Sequence, residues 1–298
     1  MIIEQMAQQI LSQGLNVFSL CEYEEKSGWA TKQLRRNNAR NNVYSVAKTV
    51  VSLMAGIMEA QGALEPEKTS IWDAFPERRA EMAPAWKKVL LSHVLAHTTG
   101  YGAEALDPDQ GTPTDWNSGD FLSLALREPL VYRPGERMIY SDMNYYFMSR
   151  VIAQTAGDTL PHLAWNWLFR PLAIYNAAWS VCPQGHAIGA SGLFLTVEDM
   201  AKIGILMLQN GSWQGKQLVP ADWIDRMRRE RTCAPDGRGY GYGIWLRRDT
   251  QAYLACGMLG QLVFISPKTG RVFACQSCED DSRMGPLVDR LVQLDNMA

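Results

Sequence analysis

The stretch VYSVAKTVVSLMAGIMEA, residues 43–60, decides how the rest of the chain is read. Residues 50–58 are apolar almost without interruption, and a helix apolar on nearly every side belongs in the middle of a domain. Yet this helix begins with Ser45 and Lys48. Residues three apart share a helix face, and a buried ammonium is costly unless it is paired or gives up its proton. The helix N-terminus carries partial positive charge, which disfavours an ammonium there. It also leaves backbone N–H groups without intrahelical acceptors. One turn therefore supplies a hydroxyl nucleophile, an amine of lowered proton affinity and the Ser45 N–H for a developing oxyanion. The plain alternative is an N-capping serine and a lysine that reaches out to water.

Working outward, residues 15–23 and 29–36 read as strands, and residues 63–188 as helical segments and loops punctuated by proline and glycine. Beyond Gly189 the character changes. A helix over 196–208 opens with Thr196 and a capping box to Asp199. A helix near 220–229 follows, then strand-like runs at 240–247, 251–256, 262–266 and 271–276, and a last helix over 284–294. There is no βαβ rhythm. The order predicts an α+β fold, an antiparallel sheet built from both chain ends and flanked by helices. Residues 1–62 and 186–298 would form the sheet lobe and residues 63–185 a mainly α-helical lobe, with the active site in the cleft between them.

With 298 residues, 47% of them hydrophobic and 20% charged, the chain has ample material for a core. A net charge of -2 gives no reason to expect nucleic acid, and the cluster Arg226, Arg228, Arg229 and Arg231 is broken by Glu230, so it reads as a solvated face. The N-terminal segment lacks the pattern of a signal peptide, and no stretch approaches a membrane-spanning length. The expectation is a cytoplasmic protein without a membrane partner. The six cysteines are scattered, and the one CxxC, Cys275 to Cys278, lacks the second pair a zinc ribbon needs. His93, His97, His162 and His186 have no metal-ligand spacing either, so no metal site is expected.

A second signal lies in RPGERMIYSDMNYYFMSRVIAQTAG, residues 133–157, where a Pro-Gly turn leads into Tyr140-Ser141-Asp142 and then a helix. These phrases come in order with LLSHVLAHTTGY (90–101), GASGLFLTVEDMAKIGILMLQNGSWQGKQLVP (189–220) and GYGYGIW (239–245). The ordered set resembles the serine β-lactamase-like hydrolase superfamily, with its penicillin-binding-protein-like fold. It is strongest toward the branch of class C β-lactamases, carboxylesterases and 6-aminohexanoate-dimer hydrolase. The resemblance implies that Ser45 is the acylated nucleophile and Lys48 its base or proton relay. Tyr140 would share that proton and hand it to the leaving group. Where the class C pattern has asparagine this chain has Asp142. A carboxylate there either holds Lys48 protonated or only orients it, so Lys48 and Tyr140 both stand as candidates for the base, Tyr140 the stronger.

The family's third motif is usually Lys-Thr-Gly. The literal Lys268-Thr269-Gly270 follows Pro267 between two strand-like runs and reads as a hairpin turn. The matching stretch is LACGMLGQLVFISP (254–267), with Ala255-Cys256-Gly257 in the motif's place. The cation that helps hold a substrate carboxylate in β-lactamases and D,D-peptidases is then absent. Gly257 becomes a supporting residue and the Met258 N–H the second oxyanion donor. His97 takes a structural role, and Tyr101, Trp116, Tyr240 and Trp245 are candidates to line a pocket. The expected function is a serine hydrolase acting through an acyl-enzyme on a small-molecule ester or amide, with no cofactor. The rivals are a β-lactamase or D,D-peptidase, and a non-catalytic binding or sensor protein of the same fold.

Overall fold

An eight-stranded antiparallel sheet gathers both ends of the chain. The computed structural model describes residues 1–104, 107 and 119–297. In chain order, helix α1 (Ile3–Ser12) precedes strands β1 (Val17–Glu24), β2 (Gly28–Gln33) and the short β3 (Asn41–Asn42). Helix α2 (Val46–Ala60) follows, then the short helices α3 (Ile71–Ala74), α4 (Leu91–Leu95) and α5 (Phe121–Arg127), and then α6 (Asp142–Ala156) and α7 (Leu160–Ala164). Strands β4 (Ala178–Trp179) and β5 (Leu193–Leu195) lead to α8 (Val197–Leu208), the hairpin β6 (Ser212–Trp213) and β7 (Lys216–Gln217), and α9 (Ala221–Met227). Strands β8 (Thr232–Cys233), β9 (Gly239–Tyr240), β10 (Trp245–Leu246), β11 (Tyr253–Gly257), β12 (Gln261–Ser266) and β13 (Arg271–Ser277) precede the final helix α10 (Asp281–Met297). The sheet order is β2-β1-β13-β12-β11-β10-β9-β8. No described helix is long and apolar enough to cross a membrane.

Strand side chains alternate between faces, and both faces of this sheet are covered. Val263, Ile265, Val272 and Ala274 face the cluster that holds α2 and α8. Leu20, Phe264, Phe273 and Cys275 face Ile3, Met6 and Ile10 of α1 with Leu287 and Leu291 of α10. Every residue of α2 from Val46 to Met58 is buried, Lys48 included, as its all-round apolar pattern predicts. Trp223 of α9 pins this helix by donating from Nε1 to the Ser52 carbonyl at 2.9 Å. The capping box expected at α8 is present, Thr196 Oγ1 accepting from Asp199 N–H at 3.1 Å.

Two details depart from the sequence reading. Residues 240–247 are not one strand; a turn separates β9 from β10. Gly243 sits there at φ +73, where a Cβ would come within 2.8 Å of the Lys48 carbonyl, and its own carbonyl accepts from Thr49 Oγ1 at 2.6 Å. The chain breaks its strand to lie flat on α2. Second, β4 falls within the segment expected to be mainly helical. It pairs with β5, which also pairs with β3, in a separate three-stranded sheet. The CxxC cysteines are free thiols, Cys275 buried in β13 and Cys278 exposed just past it.

Candidate active site

The chain enters α2 through a constrained turn. Tyr44 has φ +46, a left-handed value that a bulky residue adopts only when its surroundings hold it. Its N–H donates to Asn42 Oδ1 at 2.9 Å. Ser45 then occupies the N-cap position, but its hydroxyl caps nothing. Instead it accepts from Lys48 Nζ at 2.8 Å. The same Nζ donates to Asp142 Oδ1 at 2.6 Å and to the Ala190 carbonyl at 3.1 Å. Lys48 is fully buried and Asp142 nearly so. Three acceptors for one Nζ match the three donors of an ammonium.

That geometry favours the alternative in which Asp142 holds Lys48 protonated over the one in which the helix start lowers its proton affinity. Burial does push Lys48 toward losing its proton. The charge of Asp142 and the hydrogen bond to it, with a smaller contribution from the Tyr140 side chain, outweigh it and hold Lys48 above its ordinary range. Burial and the helix terminus were legible in the sequence. The carboxylate that reverses their sign comes from α6, 94 residues on.

Tyr140 immediately precedes Ser141, the N-cap of α6. Lys48 Nζ lies 4.8 Å from its ring centroid, and its hydroxyl interacts with both the Ser45 and Lys48 side chains. Burial raises the Tyr140 hydroxyl above its ordinary range, although the Lys48 charge opposes this. The ring is held between His97, stacked at 4.2 Å, and Trp245, stacked at 5.7 Å. Buried His97 is pushed well below its ordinary value by burial and then by the Lys48 charge, so it is neutral, and its Nδ1 accepts from the Ser141 N–H at 3.2 Å. It thus braces Tyr140 from behind.

At the end of β11, a Cβ on Gly257 would lie 2.2 Å from the Val43 carbonyl and 3.2 Å from the Ser45 nitrogen. Only glycine lets the strand cross the start of α2 this closely. Ser45 and Met258, the two expected oxyanion donors, border one cavity of about 560 Å³ together with Tyr140, Asp142, Gly257 and Trp245. The structure therefore brings every expected site residue together.

Other residues at this cavity carry no signal in the sequence. Met284 and Val288, one turn apart on α10, form an apolar wall with Leu262. The last helix was legible, but not which way it faces. Glu104 and Asp281 add carboxylates, and Arg238, whose guanidinium lies 4.3 Å over Trp245 and whose Nε donates to Asp236, adds a cation. Glu104 is exposed overall, yet partial burial of its carboxyl, reinforced by the charges of Asp142 and Asp107, pushes it up to about 7. Of the aromatic candidates, Trp245 lines the cavity and buried Tyr240 backs it edge-on. Tyr101 is core, its hydroxyl donating to the Ala125 carbonyl at 2.9 Å; Trp116 lies outside the described residues. Lys268 and Thr269 belong to the turn between β12 and β13, away from the cavity, where Lys268 Nζ donates to the Asp295 and Asn296 carbonyls. Ala255 is buried, with no cation in its place. Among the described residues no cluster of histidine, cysteine and carboxylate side chains is disposed to hold a metal.

The family model described as Beta-lactamase matches residues 22–293. A Bacillus anthracis structure provisionally named 6-aminohexanoate-dimer hydrolase superposes with a TM-score of 0.84 at 15% identity, covering 97% of this chain and 81% of that one. EstCE1, described as a hydrolase with promiscuous acyltransferase activity, superposes with a TM-score of 0.77 at 16% identity, over 96% of this chain and 95% of its own. In sequence, a protein of Escherichia coli (strain K12) provisionally named D-alanyl-D-alanine carboxypeptidase is 26% identical over 98 residues, which is 32% of this chain and 23% of that protein.

Proposed function

Because the chain belongs to the beta-lactamase family, we propose that it is a serine hydrolase working through an acyl-enzyme on a small-molecule ester or amide. The observation that carries this reading is the hydrogen bond from buried Lys48 Nζ to Ser45 Oγ at 2.8 Å, at the edge of a cavity that Tyr140 also lines.

The proton path follows from which groups hold protons at rest. Lys48 is an ammonium with all three donors engaged, so it takes no proton from Ser45. Tyr140 is a neutral phenol. In acylation, Ser45 Oγ attacks the carbonyl carbon, and its proton passes to the Tyr140 oxygen only in step with the departure of the phenol's own proton. Tyr140 gives its own proton to the leaving oxygen or nitrogen as the carbon–heteroatom bond breaks. Tyr140 ends as it began, and Lys48 stays charged, stabilising phenolate character in Tyr140 and alkoxide character in Ser45. The N–H groups of Ser45 and Met258 hold the oxyanion. Water then repeats the exchange in reverse, its proton going to Tyr140 while Tyr140 returns one to Ser45.

With Asp142 balanced by Lys48, Glu104, Asp107 and Asp281 still outnumber Arg238 among the charged groups at the cavity, and Arg238 is already paired with Asp236. A substrate carboxylate would meet a net negative wall. This supports an ester or amide over a β-lactam or a peptide ending in a carboxylate.

The test is labelling by a fluorophosphonate, read by intact mass, on wild type and Ser45→Ala, followed by ester, amide and chromogenic cephalosporin panels. One adduct on wild type, absent from the variant, is expected, and turnover should fall by about 10³-fold or more in Ser45→Ala. Absence of an adduct on folded wild type would overturn the reading and favour a binding protein. Cephalosporin turnover matching that of esters would favour a β-lactamase.

A further inference from the structure

The turn joining β11 to β12, Met258-Leu259-Gly260, is held by more bonds than a hairpin needs. Leu259 has φ +58 and ψ 28, a left-handed conformation that costs a bulky L-residue of order 1 kcal/mol or more. Such a residue persists only when its neighbours over-determine it. Here the Leu259 carbonyl accepts from Ser277 Oγ at 2.6 Å, from the Glu279 N–H at 3.2 Å and from Gln261 Nε2 at 3.4 Å. The same peptide is gripped at its other end, and the carbonyl that follows is held as well. Gly260 N–H donates to Asp281 Oδ1 at 2.9 Å, and Gly260 O accepts from Cys275 Sγ at 3.6 Å. Gln261 Nε2 donates in addition to the Ser277 carbonyl at 2.6 Å, tying the start of β12 to the end of β13.

These contacts have a direction. On one side of Met258, Gly257 is pressed against the Val43 carbonyl. On the other side, Leu259 is clamped from the end of β13 and the start of α10. Met258, which borders the cavity with Ser45, sits between two fixed points, so its N–H has little freedom to reorient. An oxyanion donor is effective only when aimed in advance at the position the oxygen will occupy.

We propose that Ser277 and Asp281 are positioning residues of the oxyanion site, acting through the Leu259 carbonyl and the Gly260 N–H to aim the Met258 N–H at the tetrahedral intermediate. Neither residue touches the reacting atoms in this role. The inference rests on the acyl-transfer reading above. It extends the machinery past the helix start and Tyr140 to a clamp drawn from the C-terminal end of the sheet. The fit is close, since a Cβ on Gly260 would lie 2.5 Å from Ser277 Oγ.

The experiment compares wild type with Ser277→Ala, Ser277→Thr and Asp281→Asn, using the full chain and an ester substrate from the panel. Rates are expressed per labelled Ser45, so a misfolded fraction drops out. For Ser277→Ala, kcat should fall by about tenfold with KM changed less than about twofold, short of the 10²–10³ lost when a donor is removed outright. Inhibition by phenylboronic acid, which forms a tetrahedral adduct on serine, should weaken by the same factor as kcat/KM. Ser277→Thr, which keeps the hydroxyl, should recover most of the loss, and Asp281→Asn should move both quantities in the same direction by less. A lower melting temperature with kcat and boronate affinity per labelled Ser45 unchanged would overturn the proposal, because the clamp would then serve stability alone. Failure of wild type itself to label at Ser45 would instead overturn the acyl-transfer reading, and this inference with it.

Discussion

Two buried ion pairs in this molecule look alike and are built for different ends. Lys48 and Asp142 meet at 2.6 Å beside the cavity, and Arg271 and Glu22 meet at 3.0 Å inside the sheet. All four side chains are nearly or wholly removed from solvent. Taking charges out of water costs several kcal/mol per ion, and their attraction repays it only with good geometry and further hydrogen bonds. Each pair finds such bonds in a different place, Arg271 only through Nη2, since its Nε and Nη1 make no hydrogen bond among the described residues. Glu22 accepts from the Ile2 and Ile3 N–H groups at the start of α1, and Arg271 also reaches Glu24 on β1 at 3.0 Å. That pair ties a helix to the sheet. Lys48 spends a donor on Ser45, a hydroxyl that has no structural duty. A guanidinium never gives up its proton, whereas an ammonium does once its surroundings allow. The guanidinium braces the sheet, and the ammonium lies beside the serine proposed as nucleophile.

The sharpest way to break this comparison is to remove the two cations in turn. Lys48→Ala leaves Asp142 buried without its partner, which should cost about 3–5 kcal/mol of stability. Turnover per folded molecule should fall by about 10³-fold as well, because the charge that supports the proton exchange is gone. Arg271→Ala should show a similar loss of about 3–5 kcal/mol in denaturant midpoints. Its labelling rate at Ser45, per folded molecule, should match wild type. If Arg271→Ala slows labelling as much as Lys48→Ala does, the two pairs are not functionally distinct.

Asp142→Asn sharpens the comparison through pH. In wild type the folded-state pKa of Lys48 is raised. The Lys48 contribution is therefore fully present below the ordinary lysine value of 10.5 and is lost as pH rises through the folded value. Asparagine removes the charge that raises it, so burial dominates and Lys48 should fall below its ordinary value. The sign then reverses. At neutral pH the variant carries a costly unpaired ammonium, a loss of about 2–3 kcal/mol, and it should regain stability as pH approaches 10. Its turnover should gain a new alkaline-rising limb, because a deprotonated Lys48 accepts the Ser45 proton directly. Denaturation and kcat/KM measured at several pH values between 6 and 10 check both limbs. A stability curve parallel to wild type would mean that Asp142 does not control Lys48.

These residues also mark what the sequence could and could not reveal. Ser45, Lys48 and the all-round apolar α2 were legible because each rests on helical spacing within one segment. Gly257 and Met258 were placed beside Ser45 by the order of family-like phrases, and both border its cavity; Lys268-Thr269-Gly270 could be set aside because turn patterns are local. The direction of the Lys48 shift was not legible, since it depends on a carboxylate from another helix. The wall formed by Met284 and Val288 depends on how α10 turns against the sheet, and periodicity does not fix that rotation. Glu104 follows no motif and acquires its altered proton affinity only from burial and neighbours. Local order was readable; the charges and surfaces that elements present to one another were not.

The smallest expected effect refines the structural pair. Glu24 is the partly solvated partner of Arg271, and its carboxyl is held below the ordinary 4.5, first by the hydrogen bond from Ser27 and then, against a small opposing effect of burial, by the Arg271 charge. A depressed carboxyl stabilises the fold above its unfolded value and loses that contribution as pH falls through the folded value. Solvent screening keeps the contribution small, so Glu24→Gln should cost at most about 1 kcal/mol at pH 7. The difference from wild type should shrink as pH falls below the ordinary 4.5 and vanish once the folded carboxyl is protonated. Urea midpoints of the two proteins across that range decide it. A cost at pH 7 as large as that of Arg271→Ala would mean that Glu24, and not the buried Glu22, carries the brace. The contrast would then be between a solvent-facing pair in the sheet and a buried one at the cavity.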